Sequence, residues 1–310
     1  MCYHKGNTIF FTILGTLCII GCISHYSTTT DNIQAKELDS SFDRGKNLAF
    51  LICAQCHYND KEKRFTGREI TELPGFIGKI YSSNLTHSKV DGALEKYTDA
   101  ELAYLLKTCI NRDGKYLPWM PRPNLADTDI NDITVYFRSN DTSVWATDRI
   151  AGKTDMNIIG KMGTKVTGKP FKYRKGIVAP KMSDSVNYGR YLVDQLACYH
   201  CHSKSVTGLD YLEPEKSKGY MQGGFKFKLP DGKKVYAANL TPDDETGIGK
   251  FTKYDLRKAL KDGIRPDKDS LHFPMPQFRH LTNKQSDAIY AYLQTLAPKK
   301  NKVKHDHRTK

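Results

Sequence analysis

Beyond the first forty residues, apolar positions recur at three- and four-residue spacing, the mark of helices with one buried face. Leu48, Leu51 and Ile52 form one stripe, Leu102, Leu105 and Leu106 a second, and Ile133, Tyr136 and Phe137 a third. The series then repeats, with Tyr188, Tyr191, Leu192 and Leu196, with Leu256, Ala259 and Leu260, and with Ile289, Tyr292, Leu293 and Leu296. This pattern predicts three helices in each half. Helix starts are marked by Thr98 with Glu101, Thr252 with Asp255 and Thr282 with Gln285, pairs of the capping-box form.

The repetition extends to the residues themselves. GKNLAFLICAQCH from Gly45 aligns with GRYLVDQLACYHCH from Gly189, and YSSNLT from Tyr81 with YAANLT from Tyr236. KYTDAELAYLLKTCINRDGKYLPWMP aligns with KFTKYDLRKALKDGIRPDKDSLHFPMP. The predicted units are 42–140 and 184–297, joined by a connector, 141–183. That connector is too long for a plain link, so part of it is expected to pack on both units. After Pro298 the tail to residue 310 carries six Lys or Arg against one Asp and is expected to be solvated.

A length of 310 residues suits about two domains, and a formal net charge of +14 leaves a basic surface. Such charge suits an acidic partner, an anionic membrane or nucleic acid without choosing among them.

The start of the chain narrows that choice. An apolar run from Ile9 to Ile23, preceded by Lys5 and softened by Thr12, Gly15 and Thr16, is shorter than the roughly 20 residues that span a bilayer. It reads as a secretory signal, residues 1–21, with an uncleaved anchor helix as the other reading. Ile19-Ile20-Gly21-Cys22 resembles a bacterial lipobox, so Cys22 is expected to carry a lipid and residues 22–41 to form a flexible tether. The mature chain then faces the periplasmic side of a bacterial cell envelope, lipid-anchored to a membrane, where nucleic acid is not a partner.

Of eight cysteines, four sit in CAQCH (53–57) and CYHCH (198–202) and only Cys109 is left over in the exported part. A disulfide framework cannot be built from that set. Zinc would have to join two distant segments and leave two histidines idle, and a dithiol redox pair does not need the histidine. A covalently attached haem c needs all three residues: two thiols for the vinyl groups and the next imidazole for the iron. The predicted thioether positions are Cys53 and Cys56, then Cys198 and Cys201, with His57 and His202 as proximal ligands. Met120 and Met275 occupy equivalent Pro-flanked loops and are the expected distal ligands. Met156, Met162, Met182 and Met221 have no such counterpart, and His272 and His280 read as surface residues. Cys109 reads as a buried small hydrophobe on the inner stripe of its helix.

These motifs resemble the class I cytochrome c domain duplicated in tandem. More narrowly, NLTPDDETGIGKFT from Asn239, FPMPQFRHLT from Phe273 and DAIYAYLQTL from Asp287 resemble the multihaem cytochrome c subunits of membrane alcohol and gluconate dehydrogenases. The first unit is looser, since NLTHSKVDGALEKYT lacks the Pro-Asp. The resemblance implies an all-α fold of two tandem class I cytochrome c domains, each wrapped around a haem. It also implies two His/Met haems that relay electrons from a dehydrogenase or quinol-linked donor to a cytochrome or terminal oxidase, an electron carrier rather than a catalyst. Those subunits carry three haem sites, whereas this chain has two CxxCH motifs. The alternative is a haem enzyme of the dihaem peroxidase or thiosulfate-oxidising type, in which one distal position is open or taken by a cysteine.

Overall fold

The computed structural model describes residues 38–73, 77–167, 169–229, 232–271 and 273–304. The expected signal peptide, Cys22, most of the tether, His272, His305 and His307 lie outside the described residues. Helix α1 (Leu38–Leu48) begins inside the expected tether, so residues 38–41 are helical rather than aperiodic.

Each half is organised on a crossed helix pair. α1 packs on α4 (Asp127–Phe137), and α6 (Ser185–Gln195) packs on α9 (Asn283–Leu293). Glycine permits both crossings. A Cβ on Gly45 would lie 1.8 Å from the Asp132 carbonyl oxygen, and one on Gly189 would lie 1.9 Å from that of Ala288. The backbones therefore meet directly, and the flanking stripes close around them: Leu48, Leu51, Ile133 and Tyr136 in one pair, Leu192, Val193, Ile289 and Leu293 in the other, all buried. That burial, at about 25 cal/mol per Å² of apolar surface, is what holds each pair.

A third helix joins each pair: α3 (Asp99–Thr108) touches α4, and α8 (Lys253–Asp262) touches α9. Reciprocal capping boxes at Thr98/Glu101, Thr252/Asp255 and Thr282/Gln285 open α3, α8 and α9, as the sequence predicts. α3 ends on Cys109 at φ 62° and α8 ends on Gly263 at φ 71°, both left-handed. Cys109 is thus fully buried, as expected, but at the helix cap instead of on the stripe.

Two short ribbons accompany the helices. β1 (Gly78–Lys79) pairs antiparallel with β2 (Asp155–Met156), and β3 (Lys226–Lys228) with β4 (Lys234–Tyr236). Both lie outside the crossed helix pairs, where backbone amides need partners that no helix supplies.

The connector follows the body of the molecule. α5 (Ile158–Thr167) brings Gly160 against the Ile77 carbonyl, and Phe171 N–H donates to Thr108 O at 3.2 Å. Tyr173 stacks on Tyr104. The fully buried Lys107 ammonium reaches the Asp127 carboxylate and, at 2.7 Å, the Arg174 carbonyl.

The tail departs from expectation as well. Asn239 Nδ2 donates to Lys299 O at 2.7 Å, Lys299 N–H to Thr241 Oγ1 at 3.1 Å, and Asn301 N–H to Thr246 Oγ1 at 2.9 Å, while Val303 is buried. Lys299, Lys300, Lys302 and Lys304 stay exposed; the backbone between them is fastened.

Candidate functional site

The two CxxCH segments lie on short helices that continue the first helix of each pair. In the first half a π-helical turn, Ala49–Cys53, leads into α2 (Ala54–His57); in the second, α7 (Cys198–His202) follows α6 after Ala197 in the left-handed region. Cysteines three residues apart on a helix share a face. None of the described cysteines is joined to another, and among the described residues no three His, Cys, Asp or Glu side chains converge as a metal cage. Burial pushes the Cys53 and Cys198 thiols up to about 12, that of Cys201 to about 11, and raises Cys56 as well.

Both histidines are buried and tied in the same way. His57 Nδ1 donates to Ser83 O at 2.8 Å, and His202 Nδ1 donates to Ala238 O at 2.8 Å. A carbonyl only accepts, so the proton must sit on Nδ1 and the Nε2 lone pair is left for a metal. Burial lowers both imidazole pKa values, against the raising effect of these hydrogen bonds, and keeps the rings neutral.

The surrounding backbone bonds repeat too. Gly67 N–H donates to His57 O and Gly223 N–H to His202 O, at 2.9 and 2.7 Å; Leu85 N–H donates to Phe65 O and Leu240 N–H to Met221 O. Met221 is fully buried, as is Phe65 at the equivalent place in the first half.

The methionine loops are pinned at both ends. Leu117 N–H bonds Cys109 O and Arg122 N–H bonds Leu106 O around Met120; Leu271 N–H bonds Gly263 O and Phe278 N–H bonds Leu260 O around Met275. Met120, Met275, Cys53 and Cys198 are partly buried and pack on one apolar cluster that runs through both halves. His280 is a surface residue, as expected, though its ring stacks on Phe50 at 4.2 Å.

A residue that pattern reading did not single out lies where the halves meet. Arg122 bears electrostatically on Cys53 and Cys56 of one motif and on Tyr199 and His200 of the other. Its Nε is buried without a hydrogen-bond partner. Two residues on, Asn124 Nδ2 donates to Asp194 Oδ2 at 2.8 Å and to Tyr211 O at 3.0 Å. Its surroundings, not its identity, mark it out, so no one-dimensional signal could have found it.

Whether haem suits these residues can be judged from the donor set. Paired thiols on one helical face, a neutral imidazole with its outer nitrogen tied to a carbonyl, and a thioether on a pinned loop against apolar side chains are the groups that a His/Met haem c requires. The residues fit.

No protein-family model matches the chain. It is 28% identical over 309 residues to the fructose dehydrogenase cytochrome subunit of Gluconobacter japonicus, covering 93% of this chain and 59% of that protein. It is 28% identical over 304 residues to the gluconate 2-dehydrogenase cytochrome c subunit of Pantoea cypripedii, covering 91% and 64%. A 109-residue stretch is 34% identical to the cytochrome c subunit of the quinone alcohol dehydrogenase of Gluconobacter oxydans (strain 621H), covering 34% and 20%. The chain thus spans less than two thirds of the length of these relatives. With the paired Cys and His geometry already described, these matches make the chain similar to the cytochrome c subunits of fructose, alcohol and gluconate dehydrogenases, with a cytochrome c fold.

Proposed function

We propose that the chain is a dihaem c-type cytochrome that relays electrons from a dehydrogenase or quinol-linked donor to a downstream cytochrome or oxidase. The observation that carries this reading is the twofold recurrence of one arrangement: unpaired CxxC thiols followed by a buried imidazole whose Nδ1–H is held at 2.8 Å by a backbone carbonyl. Haem c, when bound, supplies a one-electron Fe(III)/Fe(II) couple. Cys53, Cys56, Cys198 and Cys201 would hold it covalently, and His57 and His202 would offer Nε2 to the iron. Met120 and Met275 would each supply a thioether to the iron, leaving no coordination position for a substrate and favouring the reduced state through a soft sulfur ligand. The apolar walls keep water away and act in the same direction.

Cys109 does not support a catalytic thiolate, since burial pushes its thiol up to about 12. Among the described residues no helix is long and apolar enough to cross a membrane. We place the chain on the periplasmic side of the envelope, held by a lipid on Cys22. Two tests apply. A spectroelectrochemical titration should resolve two reversible one-electron steps, with the weak sulfur-to-iron band in the oxidised state lost site by site in Met120→Ala and Met275→Ala; peroxide turnover that these variants lose would instead favour the enzyme reading. Cys22→Ala should release the chain from membranes, and retention would point to an uncleaved helix.

A further inference from the structure

The two halves repeat one turn and differ in what it touches. In the second half, Asn239 Oδ1 accepts from Thr241 N–H at 3.0 Å and Thr241 Oγ1 at 2.8 Å, which turns the amide nitrogen outward onto Lys299 O at 2.7 Å and Thr246 Oγ1 at 3.1 Å. In the first half, Asn84 Oδ1 accepts from Thr86 N–H at 2.9 Å and Thr86 Oγ1 at 2.7 Å, the same turn with the same amide orientation. Yet Asn84 Nδ2 is buried without any partner, in a residue only 1% exposed. A buried amide donor left unpaired is costly, and native proteins seldom keep one that nothing uses.

Asn84 lines a cavity of about 510 Å³. The segment from Ile150 to Thr154 also lines it, and does not bond Asn84 as Lys299 bonds Asn239; it is fastened elsewhere. Ala151 N–H donates to Asp91 Oδ2 at 2.6 Å, Thr154 Oγ1 accepts from Tyr81 N–H at 3.0 Å, and Gly152 lies against the Tyr81 ring. The cavity also draws Lys96, Arg112 and Lys153 to its lining, against Asp91, already engaged by Ala151, and Asp113. Arg112 is held in place by the Lys96 carbonyl and over the Tyr97 ring, with its Nε 3.9 Å from the Glu101 carboxylate, which leaves the two lysines as the less engaged cations. The unpaired amide of a lining residue and a cationic lining are together the complement of a carboxylate: as the wall over Asn84 Nδ2, closed to solvent in the empty cavity, yields to the ligand, one oxygen takes the part that the Lys299 carbonyl plays in the second half, and the charge is met by the lysines and arginine.

The lining includes Ser83, whose carbonyl holds His57 Nδ1. We propose that this cavity binds a small organic carboxylate on Asn84 and the Lys96, Arg112 and Lys153 charges, and that its occupancy acts on the Ser83–His57 hydrogen bond and so on the first redox centre. The binding half stands on the cavity alone; the redox half rests on the haem reading above.

The test uses the full haem-loaded chain, with acetate, succinate and citrate as probes and inorganic phosphate as the comparison anion, read by calorimetry and ligand-observed NMR. One saturable site for a carboxylate is expected, weakened at least tenfold by Asn84→Leu and, if that variant folds poorly, equally visible as a loss in the surface pair Lys96→Gln/Lys153→Gln. Binding should be unchanged in Asn239→Leu. Failure of all three carboxylates to saturate, phosphate binding as well as they do, or binding indifferent to both Asn84 and the rim lysines would overturn the site. Binding of an acidic peptide but of no free carboxylate would also overturn it, in favour of a protein partner. Saturating carboxylate should shift the midpoint of the first centre and leave the second in place; binding without that shift would overturn only the coupling, and a chain that binds carboxylate but holds no haem would overturn the haem reading and not the site.

Discussion

At the scale of single residues, the chemistry of the candidate site is concentrated in side chains that sequence displays and in backbone groups that it hides. Cys53, Cys56 and His57, and their counterparts Cys198, Cys201 and His202, are legible because the chemistry demands those residue types at that spacing. The carbonyls of Ser83 and Ala238 that hold the two imidazoles are not, since any residue has a carbonyl. Arg122 is hidden for another reason: its charge matters only because the fold brings both motifs near it. A fixed cation disfavours the more positive oxidised state of a nearby metal. At about 10 Å and an effective dielectric near 20, one unit charge is worth about 1.7 kcal/mol, of the order of a tenfold change or about 59 mV for one electron. Arg122→Gln should therefore lower both midpoint potentials by several tens of millivolts, while Arg122→Lys keeps them close to wild type. A shift confined to one step in a redox titration would mean that Arg122 serves only one centre.

At the scale of elements, the three capping boxes and the apolar stripes were readable because each is complete within one turn or one helix. The helix crossings were not, because Gly45 and Gly189 acquire their meaning only from Asp132 and Ala288, far along the chain. The expected tail failed for a related reason: lysine-rich composition describes side chains, and it is the Lys299 backbone and Asn301 that bond Asn239, Thr241 and Thr246. The ribbons escaped notice because strands of two or three residues carry no usable period. From the crossings follows a stability prediction. Gly45→Ala and Gly189→Ala each place a methyl group inside van der Waals contact of a carbonyl and should cost about 1–3 kcal/mol or more in denaturant unfolding, whereas Gly114→Ala, with nothing within 4 Å of the added carbon, should lose much less despite its φ of 73°. Equal losses at all three positions would show that the crossings are looser than their geometry indicates.

At the scale of the whole molecule, the halves are joined by a polar seam as well as by the shared apolar cluster. Tyr191 OH donates to Asp129 Oδ2 at 2.6 Å, Gln285 Nε2 donates to Asn47 Oδ1 at 2.8 Å, and Asp194 accepts from Asn124. Burial pushes the Asp194 carboxyl up to about 6, with the Asn124 hydrogen bond and Arg122 opposing it. A carboxyl with a raised folded-state pKa binds its proton more tightly when folded, so it destabilises the fold at pH 7 and that cost is relieved as pH falls from about 6 towards 4. Asp194→Asn should accordingly unfold at higher denaturant than wild type at pH 7.5, with the gap narrowing near pH 5; a gap that widens on acidification would reverse the sign. The internal repeat is legible in the sequence, but this seam is not, because its partners come from segments with no mutual signal in one dimension. The proposed electron relay and the Arg122 effect presuppose that each half carries a covalently held redox group, and that claim can be measured directly. Chain matured in a competent host, denatured and digested, should retain two haems per chain, one on the peptide bearing Cys53 and Cys56 and one on that bearing Cys198 and Cys201. Haem that is extracted by acid and organic solvent, or peptides that emerge with all four thiols free, would contradict it.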